Sequence, residues 1–177
     1  MPLVKASSKG MKGIMKNVLS LLGCGLVSLL AGCSTVNVAP VGPNPNSAKT
    51  DASTGYLMVY SRMMTQDDDQ NLAGDGIPPW HQYSAYNIYD LNGNLAQRVA
   101  NSSGHYGRRA DRVALPPGKY IVRAQAKDYF WLNIPVTVES GRTTRVHLDD
   151  NWRPPGDKGS VVNGPDGNPI GWRATPQ

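Results

Sequence analysis

The chain has 177 residues, of which 40% are hydrophobic and 18% charged, and its formal net charge at pH 7 is +5. This length is sufficient for one domain with a hydrophobic core, and two cysteines are too few for a disulfide-based scaffold. Four of the 18 basic residues are lysines within residues 1–32, which contain no acidic residue, so the remainder holds 14 basic against 13 acidic residues. Outside 1–32, basic residues cluster only at Arg108, Arg109 and Arg112. We therefore expect no nucleic-acid partner.

The N-terminal residues 1–32 have the layout of a secretory signal peptide, with a lysine-rich start followed by an apolar run over 18–30. The run ends in Leu30-Ala31-Gly32-Cys33, which resembles the lipobox of bacterial lipoproteins. The resemblance implies cleavage after Gly32, acylation of Cys33 and anchorage in the outer membrane, because Ser34 replaces the aspartate of an inner-membrane retention signal. The alternative is a transmembrane anchor, but a span needs roughly 20 apolar residues and this run is shorter.

Residues 33–54 are rich in proline, asparagine and serine. Pro40, Pro43 and Pro45 are spaced too closely for a helix or a central strand. We therefore predict a flexible tether over 33–54. The alternative is an ordered edge segment that packs on the domain.

Residues 55–150 contain short runs of alternating apolar and polar residues, which are typical of β-strands. Seven such runs occur, at 56–64, 82–90, 95–100, 110–115, 119–127, 130–138 and 142–148. Asn92-Gly93 predicts a hairpin, Pro116-Pro117-Gly118 predicts a turn with positive φ at the glycine, and Pro135 predicts an edge or a bulge. These features predict a seven-stranded antiparallel β-sandwich, although a closed barrel also fits them.

The C-terminal residues 151–177 are rich in proline and glycine. One interpretation is a last hairpin that turns over 163–168 toward Ile170, and the other is a disordered tail. Trp152 and Trp172 favour docking, because large aromatic side chains are costly to leave in water.

Three sequence segments resemble the carboxypeptidase regulatory-like and PEGA-type domains, which are transthyretin-like β-sandwiches. The segments are LPPGKYIVRA at 115–124, PVTV at 135–138 and GRTTRV at 141–146. An early hairpin at 90–94 also fits the pattern. The resemblance covers roughly residues 83–148 and implies a non-catalytic accessory or binding module on a secreted or envelope protein.

Metal and catalytic motifs have little support in the sequence. Asp67-Asp68-Asp69 lacks the glycine and glutamate that a calcium loop requires at its sixth and twelfth positions. The three histidines are not spaced as ligands on one element, and we expect His147 to be exposed. No Gly-x-Ser-x-Gly motif occurs. We therefore expect no metal, no cofactor and no enzyme activity, and the alternative is a secreted hydrolase.

Exposed aromatic side chains are the better functional indication. Trp131 alternates with core residues and so faces outward, and further aromatic and basic residues occupy loops. The predicted binding surface comprises Trp131, Tyr129, Trp80, Tyr106, Arg108 and Arg109. The expected function is a lipid-anchored envelope lipoprotein that binds or scaffolds an envelope protein, or alternatively binds a carbohydrate such as peptidoglycan. The competing interpretation is that these rings cap the ends of the sandwich.

Overall fold

A computed structural model of the chain describes residues 38–65, 81–102, 109–155 and 160–175. All of them belong to the compact unit Val36–Gln177. The predicted signal peptide, the cleavage site at Gly32 and the lipidation site at Cys33 lie outside the described residues.

The described residues form β-strands and no α-helix. The strands are β1 Val41–Gly42, β2 Gly55–Tyr60, β3 Met63–Thr65, β4 His81–Tyr83, β5 Tyr86–Tyr89, β6 Leu95–Val99, β7 Arg112–Leu115, β8 Gly118–Gln125, β9 Trp131–Val138, β10 Thr143–His147, β11 Val161–Asn163 and β12 Pro169–Arg173. The all-β class predicted from the sequence is confirmed.

The strands form three open sheets. One has seven strands in the order β11-β12-β1-β9-β8-β5-β6, one has three in the order β10-β2-β7, and β3 pairs with β4. The prediction that all strands run antiparallel was wrong, because β1 is parallel to β9 and β10 is parallel to β2. A parallel pair needs a long connection, and the chain between β2 and β10 supplies one by passing through the seven-stranded sheet.

The two larger sheets contribute to a single hydrophobic core. Ile88, Val122 and Ile134 come from the seven-stranded sheet, and Leu57 and Val146 come from the three-stranded sheet. All five are completely buried. Burial of such side chains contributes about 1.5–3 kcal/mol each, so this shared core is the main source of stability.

The predicted tether is ordered over its described part, residues 38–54, which corrects the expectation of a flexible linker there. Val38 and Val41 are buried in the core, and β1 lies inside the sheet between β9 and β12. Pro40 and Pro43 flank this two-residue strand and so do not interrupt its pairing. The free energy gained by burying the two valines exceeds the conformational entropy lost when this proline- and asparagine-rich segment becomes ordered. Its strand β1 is internal to the sheet rather than at the edge.

Two of the predicted strands are each divided in two. The run at 56–64 becomes β2 and β3, and the run at 82–90 becomes β4 and β5. At the break, Ser61 is buried and its hydroxyl donates to the Ser84 carbonyl at 2.6 Å, while the Arg62 amide donates to the Gln125 carbonyl at 2.7 Å. The chain therefore changes hydrogen-bonding partners at these positions.

Three turn and register expectations can be compared with the structure. The hairpin at Asn92-Gly93 is present, with φ of 84° at Gly93. Gly118 does not have the predicted positive φ. It begins β8, and the prolines before it carry the chain from one sheet to the other. Pro135 pairs with Ile121 in an inner strand without a bulge, just before Val136, where β1 begins to pair.

The C-terminal residues form the docked hairpin. β11 and β12 are antiparallel, and β12 extends the sheet by pairing with β1. Gly167 in the turn between them has φ of 81°. Residues 160–175 are therefore an integral part of the domain.

Candidate functional site

The outer face of the seven-stranded sheet carries the most exposed aromatic side chains of the described strands. Along β9, Leu132 and Ile134 point into the core, so Trp131 and Asn133, which alternate with them, point outward. Trp131 is 53% exposed, and Tyr129, just before the strand, is 60% exposed. Two large rings are therefore presented to solvent at one end of this face.

Tyr129 is held in an unusual backbone conformation. Its φ is 67°, a region that costs a residue with a side chain about 1–2 kcal/mol. The conformation is stabilised by two hydrogen bonds: the Tyr129 amide donates to the Ala126 carbonyl at 3.0 Å, and Gln125 Nε2 donates to the Tyr129 carbonyl at 2.9 Å. The turn thus fixes the direction in which the ring projects.

Both rings lie next to a guanidinium group. Arg62 Cζ is 4.1 Å from the centroid of the Tyr129 ring, and Arg123 Cζ is 5.7 Å from the centroid of the Trp131 ring. These distances are within the range of a cation–π interaction. Gln125 pairs with Trp131 across the strands and bonds to Tyr129, so it connects the two aromatic residues.

The sequence-predicted surface is thus partly assembled. Trp131 and Tyr129 come together, whereas Arg109 is exposed just before β7, a strand of the other sheet. Trp80, Tyr106 and Arg108 lie outside the described residues. Sequence reasoning missed Arg62 and Arg123. Strand alternation places Arg123 on the outer face of β8, but no local pattern indicated that Arg62 would reach Tyr129.

A second aromatic cluster covers the end of the three-stranded sheet. The ring of His147 stacks between Tyr60, at a centroid distance of 4.4 Å, and Trp152, at 4.9 Å. Trp152 meets Trp172 edge to face at 5.6 Å. A cavity of about 150 Å³ lies beside the cluster and is also lined by Arg145. The cluster joins β2, β10 and the C-terminal hairpin.

His147 is half-buried in this cluster, which corrects the expectation that it is exposed. Burial lowers the pKa of His147 to about 4; the Asp149 carboxylate opposes this shift, and Arg145 adds to it. The imidazole is therefore neutral at pH 7. The alternation of β10 does place His147 on the outward side of the strand, but Trp152 from the C-terminal segment covers its ring.

Asp149 is a buried carboxylate near the same cluster. Its Oδ2 accepts hydrogen bonds from the Tyr83 hydroxyl and from Asn151 Nδ2, both at 3.1 Å. Its Oδ1 has no hydrogen-bond partner among the described residues. This arrangement ties the end of β10 to β4.

Within the described ranges, no group of three or more histidine, cysteine, aspartate or glutamate side chains is placed to hold a metal ion. The described part of the chain also has no helix that is both long and apolar enough to cross a membrane.

Comparison with family models, with curated proteins and with solved structures gives no match to this chain.

Proposed function

We propose that the protein is a lipid-anchored, non-catalytic binding module of the bacterial cell envelope. In this proposal Cys33 is acylated and holds the protein in the outer membrane, and a transthyretin-like β-sandwich binds or scaffolds an envelope partner. The similarity of Leu30-Ala31-Gly32-Cys33 to a lipobox supports the anchor. The single core shared by two sheets supports the sandwich.

The observation that carries the binding role is the exposed pair of Trp131, on the outer sheet face, and Tyr129, in the turn just before it. Each ring lies beside an arginine, and these residue types dominate the energetics of binding interfaces. The positive φ of the exposed Tyr129 also destabilises the fold, and strained backbone positions of this kind cluster at functional sites.

A glycan is the second candidate partner. The indole of Trp131 is half exposed on a sheet face, and its strand neighbours on that face are the polar residues Gln125, Arg123 and Asn133. An apolar ring next to hydrogen-bonding groups suits the alternating apolar and hydroxylated surfaces of a sugar.

The anchor is tested by metabolic labelling with radioactive palmitate. Wild-type protein should incorporate label and Cys33→Ser should not. Equal labelling of the two proteins contradicts acylation at Cys33.

The binding surface is tested by crosslinking in intact membranes followed by mass spectrometry. The wild-type protein should capture a defined set of envelope components that Cys33→Ser and Trp131→Ala do not capture. Leu91→Ala is the matched control, because Leu91 is also an exposed apolar side chain, at 66%, but belongs to the β5–β6 hairpin. Capture of the same set by Trp131→Ala contradicts the proposed surface.

A further inference from the structure

Four side chains form a row across the outer face of the seven-stranded sheet. Arg98 on β6 is opposite Asn87 on β5, Asn87 is opposite Arg123 on β8, and Arg123 is opposite Asn133 on β9. Neighbouring strands are about 4.8 Å apart. The strands that carry the two arginines are therefore roughly 10 Å apart, with an amide between them and a second amide beyond Arg123.

The row points away from the core. Ile88, Val122 and Ile134, which flank it along their strands, are completely buried. Arg98, Arg123 and Asn133 are exposed, and Asn87 is half-buried, with its Nδ2 donating to the Tyr89 hydroxyl at 3.1 Å. Both guanidinium groups are therefore accessible to a ligand.

The charged side chains on the strands that form this face are all positive. Strands β5, β6, β8 and β9 contain Lys119, Arg98 and Arg123 but no aspartate or glutamate. No ion pair involves Arg98 or Arg123 within the described ranges. Two acidic residues lie in the turns that these strands form. Asp90 accepts hydrogen bonds from the Asn92 and Asn94 amides and from Asn94 Nδ2, and Asp128 is exposed in the β8–β9 turn, five residues after Arg123. The positive charge of the row is thus not neutralised by its own strands.

We propose that this row is a binding site for an acidic polysaccharide, a linear glycan that carries carboxylate groups. The inference rests on the proposed function and names the chemical class of its ligand. Arg98 and Arg123 each present a planar fork that matches a carboxylate with two hydrogen bonds. Asn87 and Asn133 bind sugar hydroxyls between and beside them, and Trp131 packs against a sugar ring at the end of the face.

The arrangement favours a glycan over a protein surface. The centre of a protein interface is mostly apolar, with aromatic residues and arginine enriched, and its rim is polar. Here Arg123 has an asparagine on either side, and the one indole, that of Trp131, lies at one end. A centre made of polar hydrogen-bonding groups suits the hydroxyl groups of a sugar better than a protein surface.

Anionic membranes and nucleic acids fit less well. Recognition of anionic lipid surfaces uses clusters of about 4–8 basic residues, and nucleic-acid binding neutralises several phosphates. The four strands supply three cations. Two arginines at a fixed separation suit a polymer with spaced, single charges.

The test uses the full-length lipoprotein purified in detergent, with polygalacturonate as the probe. Binding is measured by affinity electrophoresis and by tryptophan fluorescence, and the methyl ester of the same polymer is the neutral control. We expect polygalacturonate to bind and the ester to bind at least about tenfold more weakly, since charge-assisted hydrogen bonds are lost. The double variant Arg98→Gln/Arg123→Gln should show the same loss.

A matched double variant controls for net charge. Arg112→Gln/Arg145→Gln also removes two exposed arginines, but from the three-stranded sheet. Its affinity for polygalacturonate should stay within about twofold of the wild type. Equal losses in the two double variants would show a nonspecific charge effect and would overturn the site.

Three other outcomes overturn the inference. These are no binding of polygalacturonate, equal binding of the acidic polymer and its ester, or equally tight, arginine-dependent binding of polyglutamate, which would indicate a protein partner. The crosslinking experiment tests the proposed function separately. If polygalacturonate does not bind but Trp131→Ala still abolishes crosslinking in membranes, the inference is overturned and the proposed function stands. If Trp131→Ala captures the same envelope components as the wild type, the proposed surface is contradicted whatever the polymer binds.

Discussion

The side-chain oxygen of Asn101 accepts a hydrogen bond from the backbone amide of Asp111 at 2.8 Å. In return, Asp111 Oδ2 accepts from the Ser102 amide at 3.2 Å. Asn101 is completely buried, and its Nδ2 donates to the Val59 carbonyl at 2.9 Å and to Ser61 Oγ at 3.1 Å. One side chain therefore joins the end of β6, the start of β7 and the end of β2.

Asn101→Ala should lower the free energy of unfolding by about 2–4 kcal/mol. The change leaves buried partners unsatisfied, at about 1–3 kcal/mol, and puts alanine at a φ of 59°, where asparagine is better tolerated. Urea unfolding followed by circular dichroism measures the change. Asn133→Ala, on the exposed face, is the control and should stay within about 0.5 kcal/mol of wild type. Equal stabilities for the two variants contradict the role of Asn101.

Gly141→Ala should be more destabilising than Gly93→Ala, although both glycines have positive φ, at 71° and 84°. A Cβ at Gly141 collides with the Thr50 carbonyl oxygen, whereas a Cβ at Gly93 meets nothing within 4 Å. We expect a loss of about 1 kcal/mol at Gly93 from backbone strain alone and more than about 2 kcal/mol at Gly141.

Thermal unfolding of the two glycine variants measures this difference. Thr50 and Thr54 both hydrogen bond to the backbone of Gly141, so the experiment also tests the ordered state of residues 50–54. Similar midpoints for the two alanine variants would mean that this segment does not pack against the β9–β10 turn.

Acid should destabilise the protein through His147. Its pKa is lowered by burial to about 4 in the folded protein, against about 6.5 in an unfolded chain. The unfolded state therefore binds the extra proton first. The contribution of the neutral imidazole is complete above pH 6.5 and is lost as the pH falls toward 4. The loss over this pH range should be about 1–3 kcal/mol, because each unit of difference between the two pKa values corresponds to about 1.4 kcal/mol.

His147→Phe is the matched variant, because it keeps an aromatic ring in the stack without a titrating nitrogen. Stability measured at pH 7 and pH 4.5 should fall more in the wild type than in this variant. An NMR titration gives the pKa of His147 directly. A value at or above 6.5 would contradict the burial of the ring.

Trp152→Ala should loosen the C-terminal hairpin. The indole stacks on His147 and meets Trp172 edge to face, and it is half-buried, so we expect a loss of about 2 kcal/mol. Hydrogen exchange of the β11 and β12 amides should accelerate more than exchange in β8. Trp131→Ala is the control and should leave both stability and exchange close to wild type, because its ring is 53% exposed. Unchanged protection of β12 in Trp152→Ala would show that the hairpin docks without this contact.

The parts of the fold that depend only on residues close together in the sequence could be predicted from it. Alternation over Leu132, Ile134, Val136 and Val138 predicted β9 and its outward Trp131, and Asn92-Gly93 predicted the β5–β6 hairpin. Alternation has one limit here: Thr137 occupies an outward position in the alternation of β9, yet it is only 4% exposed. These predictions work because strand periodicity and turn chemistry are local properties of the chain.

The candidate site likewise combines one feature that a local pattern predicts with others that depend on the tertiary structure. The outward position of Trp131 followed from alternation, but the row from Arg98 to Asn133 depends on four strands whose order no local pattern contains. The contact of Arg62 with Tyr129 and the cover of His147 by Trp152 likewise join residues far apart in the chain.

By itself, then, the sequence determined the all-β class, most strand positions and the direction of the outermost side chains, because each of these follows from the two-residue period of a strand. The tertiary structure alone decided that β1 enters the sheet, that two strand pairs are parallel and that two arginines align across β5. Strand order depends on which apolar surfaces, far apart in the chain, bury one another, as Val41 is buried in the core that both sheets share. The free energy gained by this burial depends on both surfaces, so no single segment of the sequence contains it.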